Sequence, residues 1–224
     1  MKKHLIKPSV LVVLAATVSI PLVTWWSSVG NPQAYFTDNF PPGQILYIFS
    51  KLAGLVAVGL LGLQCLLALA KRLGGTGVLL SWSAKAHKVL GVLTFSLIVL
   101  HASLFFAAVS VRTEAPAWGL LLPKFTHGFY SQQVSLGLIA LCLLCLGVFA
   151  GWKVASGSKR WRIGHSLWIV VLPLSFVHAL SIGTESRFLP MLILILGISV
   201  LLLLAGLVRL KEPLTRKIKL TFGA

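Results

Sequence analysis

Four of the six histidines in this 224-residue chain, His87, His101, His165 and His178, lie inside apolar runs. An imidazole is expensive to bury in such a run, so each is a functional candidate. His87 and His101 are 14 positions apart, and His165 and His178 are 13 apart. On helices rising about 1.5 Å per residue, each spacing covers roughly 20 Å. Two such helices side by side would carry two tiers of facing imidazoles at two depths of a bilayer. Two imidazoles are the axial ligand set of a b-type haem, whose porphyrin supplies the other four nitrogens. The chemistry expected is one-electron transfer through two stacked haems. The apolar runs contain no Asp or Glu to build a proton relay with these histidines.

The elements that must position them follow from composition. The chain is 57% hydrophobic and 11% charged, whereas a soluble domain carries roughly a quarter charged residues. An all-α integral membrane protein is expected, forming a single bundle over 1–224 with no second domain. Six transmembrane helices are expected at about 9–29, 44–70, 87–110, 132–152, 164–183 and 188–209. The first follows Lys2, Lys3 and Lys7 but lacks a clear cleavage site, so it reads as an uncleaved helix.

The net charge of +16 sets 20 Lys and Arg against Asp38, Glu114, Glu185 and Glu212. The bases flank the apolar runs. Lys71, Arg72, Lys85 and Lys88 border one loop; Lys153, Lys159, Arg160 and Arg162 border another; Arg209, Lys211, Arg216, Lys217 and Lys219 follow the last run. The opposite loops hold Arg112, Lys124 and Arg187, with Lys51 at the edge of the second run. The positive-inside rule then places both termini in the cytoplasm. No basic face with interleaved aromatics lies outside the apolar runs, which argues against nucleic acid as a partner.

In that topology helices three and five run parallel, which pairs His87 with His165 at the inner side and His101 with His178 at the outer side. Fourteen residues leave His101 only about 40° from His87 around the helix, but thirteen leave His178 about 140° from His165. Pro173 lies between them, and a distortion there is expected to close the gap. Haem propionates would need cations at the rims. Arg160, Arg162, Lys88 and Lys85 are the inner candidates, and Arg112, Lys124 and Arg187 the outer ones. Phe95, Phe105, Phe106 and Trp168 are expected to pack around the macrocycles.

Other features read as structural. His4 and His127 stand outside the pattern. Cys65, Cys142 and Cys145 lie in apolar runs, and the C-x-x-C spacing of the last two has no partner pair. Gly74–Gly77 lacks the strand and Lys-Ser/Thr of a phosphate loop and reads as a turn.

The segments Ala86-His87-Lys88-Val89-Leu90-Gly91 and Leu100-His101-Ala102-Ser103 carry a resemblance, as do Lys159-Arg160-Trp161-Arg162-Ile163-Gly164-His165-Ser166-Leu167-Trp168 and Val177-His178. Together they resemble the ferric reductase-like transmembrane domain family, which includes NADPH oxidases, ferric reductases and the stand-alone bacterial haem subunits of the MsrQ type. The resemblance implies a six-helix cytochrome b with ligands on helices three and five. It also implies electrons passing singly from a cytoplasmic-side donor, through two haems, to a periplasmic-side acceptor. The chain reaches Ala224 without flavin- or nicotinamide-binding domains, so flavin or NAD(P)H is expected only through a partner. That partner would be a cytoplasmic flavoprotein, with a quinol as the other candidate donor. In length the chain is similar to the MsrQ type, which feeds a periplasmic methionine sulfoxide reductase. Rival expectations are a quinol-linked cytochrome b and, from another class, a non-redox transporter or assembly factor whose histidines bind a free metal or a substrate. The sequence offers no catalytic acid, base or nucleophile, so substrate chemistry would belong to a partner protein.

Overall fold

Backbone amides in hydrocarbon have no water to bond, so runs this apolar satisfy themselves as helices. The computed structural model describes residues 8–37, 40–72, 84–126 and 128–222, and no strand occurs among them. The long helices are α1 (Pro8–Val29), α2 (Gln44–Arg72), α3 (Ala84–Arg112) and α4 (Phe129–Ala155). A short α5 (Arg162–His165) is followed by α6 (Trp168–Ile182) and α7 (Leu189–Phe222). Each expected apolar run is helical. Among the described residues, five spans are long and apolar enough to cross a membrane, the fifth being Arg162–Ile182. The apolar part of α7, Leu189–Leu204, is shorter than these. His4, His127 and the Gly74–Gly77 turn lie outside the described residues.

The fifth span is not the continuous helix expected over 164–183. It breaks at Ser166–Leu167, where backbone amides reach back three residues instead of four. Leu167 N–H bonds Gly164 O at 3.2 Å, Ile169 N–H bonds Ser166 O at 3.0 Å, and Val170 N–H bonds Leu167 O at 2.9 Å. The break corrects the expectation that Pro173 carries the distortion; Pro173 sits within α6 with helix on either side. A three-residue turn advances about 120° per residue against about 100° in an α-helix. Each residue wound this way takes about 20° off the mismatch between His165 and His178.

The perimeter, rather than the centre, differs from that of a water-soluble bundle. Trp25, Leu55, Leu61, Val171, Phe176, Met191 and Ile195, from α1, α2, α6 and α7, form the buried centre. The polar side chains of Ser50, Thr94, Gln133 and Ser135 are also buried. Val92, Leu93, Leu100, Leu146, Val200 and Leu203 point outward, a surface that lipid solvates and water would not. Helix α2 is the hub, packing on α1, α3, α6 and α7, while α4 packs on α5 and α6. Trp25 ties α1 to the hub by donating its indole N–H to Ile48 O at 2.7 Å. The chain is embedded in a membrane.

Candidate functional site

The histidines meet in the pairs that depth predicted. The ring centroids of His87 and His165 lie 6.2 Å apart with planes at 89°. Those of His101 and His178 lie 6.3 Å apart at 71°. Because the same order repeats along both segments, α3 and the α5–α6 segment run parallel.

Three of the four rings are held by one local device. His101 Nδ1 bonds Ser50 O at 2.8 Å, His178 Nδ1 bonds Gln133 O at 2.7 Å, and His165 Nδ1 bonds Gly147 O at 3.1 Å. A carbonyl only accepts, so each Nδ1 carries the proton and Nε2 keeps its lone pair for a metal. Each acceptor stands four residues before a glycine: Ser50 before Gly54, Gln133 before Gly137, Gly147 before Gly151. That glycine amide takes one lone pair of the carbonyl within the helix, and the ring takes the other. The glycine also makes the approach possible. A Cβ would stand 2.9 Å from the His101 ring at Gly54, and 2.7 Å from the rings of His178 and His165 at Gly137 and Gly151.

His87 departs from this pattern. The side-chain amide nitrogen of Gln64, on α2, lies 3.4 Å from its Nδ1 and 3.5 Å from its carbonyl. Gly91, four residues after His87, leaves the room; a Cβ there would meet the Gln64 amide at 3.0 Å. Ser50 does likewise at the other tier, donating its hydroxyl to His101 O at 2.9 Å.

These residues fit a haem. Two imidazoles bound to one metal at about 2.0–2.1 Å each would have their ring centres about 6.3–6.5 Å apart. Both pairs stand close to that separation. A porphyrin would supply the other four nitrogens.

The His101/His178 pair opens into a largely apolar cavity lined by Leu55, Ile98, Phe105, Phe106, Leu141 and Val171, among others. Its polar end carries Tyr47, Ser50, Lys51, Tyr130 and Glu185. Sequence reasoning missed this end. It placed Lys51 at a helix edge, and nothing in the pattern of residues joined it to Glu185, which lies 2.8 Å away. Burial would raise the Glu185 carboxyl, but bonds from Lys51, from its own backbone amide and from Thr184, with the Lys51 charge, hold it below its ordinary value.

None of the expected rim cations lines that cavity. Lys88, Arg160 and Arg162 are exposed close in sequence to His87 and His165. Arg112 bonds Gln44 at 2.8 Å, and Arg187 bonds the carbonyls of Leu180 and Ser181 at the end of α6. Trp168 packs against the central apolar cluster, and Phe95 is not among the cavity-lining residues. Cys142 and Cys145 are free and face outward from α4, while Cys65 is buried.

A family model for ferric reductase like transmembrane component matches residues 53–176. The match takes in His87, His101 and His165 and ends just before His178. No curated protein and no solved structure matches the chain significantly.

Proposed function

This chain belongs to the ferric reductase-like transmembrane component family, and from that premise we propose that it is a cytochrome b holding two bis-histidine haems and passing electrons singly across the membrane. The observation that carries the reading is the pair of facing imidazole couples at one common separation. When bound, each haem supplies a one-electron iron couple. His87 and His165 would hold one haem, His101 and His178 the other. The carbonyls of Ser50, Gln133 and Gly147 orient three rings and leave Nε2 free to hold a metal, and Gln64 lies beside the fourth. Phe105, Phe106 and the aliphatic lining would exclude water from a haem held by His101 and His178. Lys88, Arg160 and Arg162 are the proposed propionate contacts of the first.

The direction of flow follows from charge. The His87 end carries exposed Lys85, Lys88, Arg160 and Arg162, so we place it at the cytoplasm and the His101 end at the periplasm. Electrons then enter from a flavoprotein or a quinol and leave to a periplasmic acceptor. A periplasmic methionine sulfoxide reductase, as in the MsrQ type that the histidine segments resemble, is one such acceptor. An interior-negative potential assists that direction, by up to about 2.3 kcal/mol per 100 mV for a full crossing.

The test is a pyridine haemochrome assay on the purified protein, scaled to protein concentration, with a dithionite-reduced-minus-oxidised spectrum. About two b-type haems per chain are expected. A colourless protein after expression with ample haem would refute the proposal.

A further inference from the structure

Lys51 and Glu185 form an ion pair inside the cavity that His101 and His178 share. Nζ lies 2.8 Å from Oε1, and the two side chains are 20% and 5% exposed. Nζ also donates to Thr184 Oγ1 at 2.9 Å, and Glu185 accepts from the hydroxyls of Thr184 at 2.9 Å and Ser28 at 3.4 Å. The Lys51 ammonium stands 5.0 Å from the centre of the Tyr47 ring, and the Arg112 guanidinium 5.9 Å from it. Both members of the pair line the cavity.

Chain position ties each charge to one ligand. Lys51 directly follows Ser50, whose carbonyl and hydroxyl engage His101. Glu185 lies in the turn that follows α6, the helix of His178. Bringing two charges out of water is costly, and well-packed apolar residues would join α2 to that turn at less cost. Their consequence is electrostatic. A one-electron couple changes the charge of its site by one unit, and in a low dielectric a fixed neighbouring charge weighs heavily on that change. An unopposed Lys51 would favour the reduced site and an unopposed Glu185 the oxidised one. Together they cancel.

We propose that Glu185 neutralises Lys51 beside the His101/His178 pair, and that this ion pair sets the redox potential of the haem held there; the inference rests on the two-haem reading above. The experiment is a potentiometric titration of the full-length haem-loaded protein, followed optically as two waves. In E185Q one wave is expected to shift upward, on the order of tenfold in the ferrous-to-ferric ratio at a fixed potential. In K51M the same wave shifts downward. The double variant K51M/E185Q returns it close to the native position, and K51R leaves it there. An equal movement of both waves, no movement, or the same sign in both single variants would overturn the proposal while leaving the haem reading intact. If the native protein binds no haem, the functional reading falls and takes this inference with it. K51R and the double variant separate a potential effect from loss of structure, because neither leaves a lone buried charge.

Discussion

A ring whose Nδ1–H is spent on a helix carbonyl has little freedom to turn, and it presents its remaining nitrogen in one direction. That constraint depends on three glycines as much as on the histidines. Gly54→Ala or Gly137→Ala should push the His101 or His178 ring away from its carbonyl and release the haem of that tier, as His178→Ala would. Haem content is then expected to fall from about two to about one per chain, with affinity at the damaged site reduced about 10–100-fold; full retention would show that the rings have another support. The histidines were legible because a titratable group in an apolar run is costly to bury and persists there for what it binds. Gly147-x-x-x-Gly151 was also legible in principle, as small residues that let membrane helices approach. The pairs 50/54 and 133/137 were not, since nothing in the sequence says which carbonyl a ring will reach. Lys51 and Glu185, 134 positions apart, could be joined only by the fold. Their pairing has a pH consequence. Glu185 is held below its ordinary pKa, 4.5, with burial opposing and the Lys51 bond prevailing. Its contribution to stability is therefore present above about pH 4.5 and lost as pH falls below that toward the folded value. Thermal unfolding in detergent should show an acid loss over that window that E185Q lacks. At neutral pH the variant should be less stable by on the order of 3 kcal/mol, the cost of leaving one charge of a buried pair unopposed.

At the scale of the element, the instructive segment is the break between α5 and α6. Hydropathy found the span because lipid demands an apolar run of that length. It could not find the break, since Ser166 and Leu167 carry no strong turn signal and Pro173, which does, sits where the helix continues. A proline inside a membrane helix is tolerated when neighbouring helices and local adjustment satisfy the freed carbonyl. The tight turn at Ser166–Leu167 sets the phase of His178 relative to His165. Pro173→Ala is accordingly expected to keep both haems, by the same pyridine haemochrome count. Deleting Ile169 or Val170 turns His178 by about 100° and draws it about 1.5 Å along the axis. Such a deletion should lose the His101/His178 haem while the His87/His165 haem survives. Loss of a haem in Pro173→Ala, with both retained in the deletion, would return the phase to the proline.

Across the whole molecule, the perimeter is what a lipid solvent imposes: large aliphatic side chains stand outward around an equally apolar centre that also buries Ser50, Thr94, Gln133 and Ser135. The outer face of α4 makes this testable without any cofactor, because it carries two natural thiols. Cys142 and Cys145 are exposed on the bundle surface and Cys65 is buried in its centre. Both exposed thiols lie more than ten residues from Phe129 and about ten or more from Ala155, the ends of α4. At about 1.5 Å per residue, that places them about 15 Å or more from either end, near the middle of a hydrocarbon layer about 30 Å thick. In intact membranes a charged, water-soluble maleimide should therefore leave all three cysteines unmodified. A lipid-soluble thiol reagent should reach Cys142 and Cys145 and spare Cys65. After unfolding in denaturing detergent all three should react. Modification of Cys142 by the aqueous reagent in sealed membranes would mean that this face of α4 meets water, and the perimeter would then have to be redrawn around it. A single cysteine introduced at Lys88 extends the experiment to sidedness, since that residue is exposed one position from His87. With both termini and the His87 end in the cytoplasm, the impermeant reagent should label it in inverted vesicles and not in right-side-out ones. The opposite pattern would reverse the direction of electron flow proposed for the two tiers, without disturbing the pairing of the histidines within them.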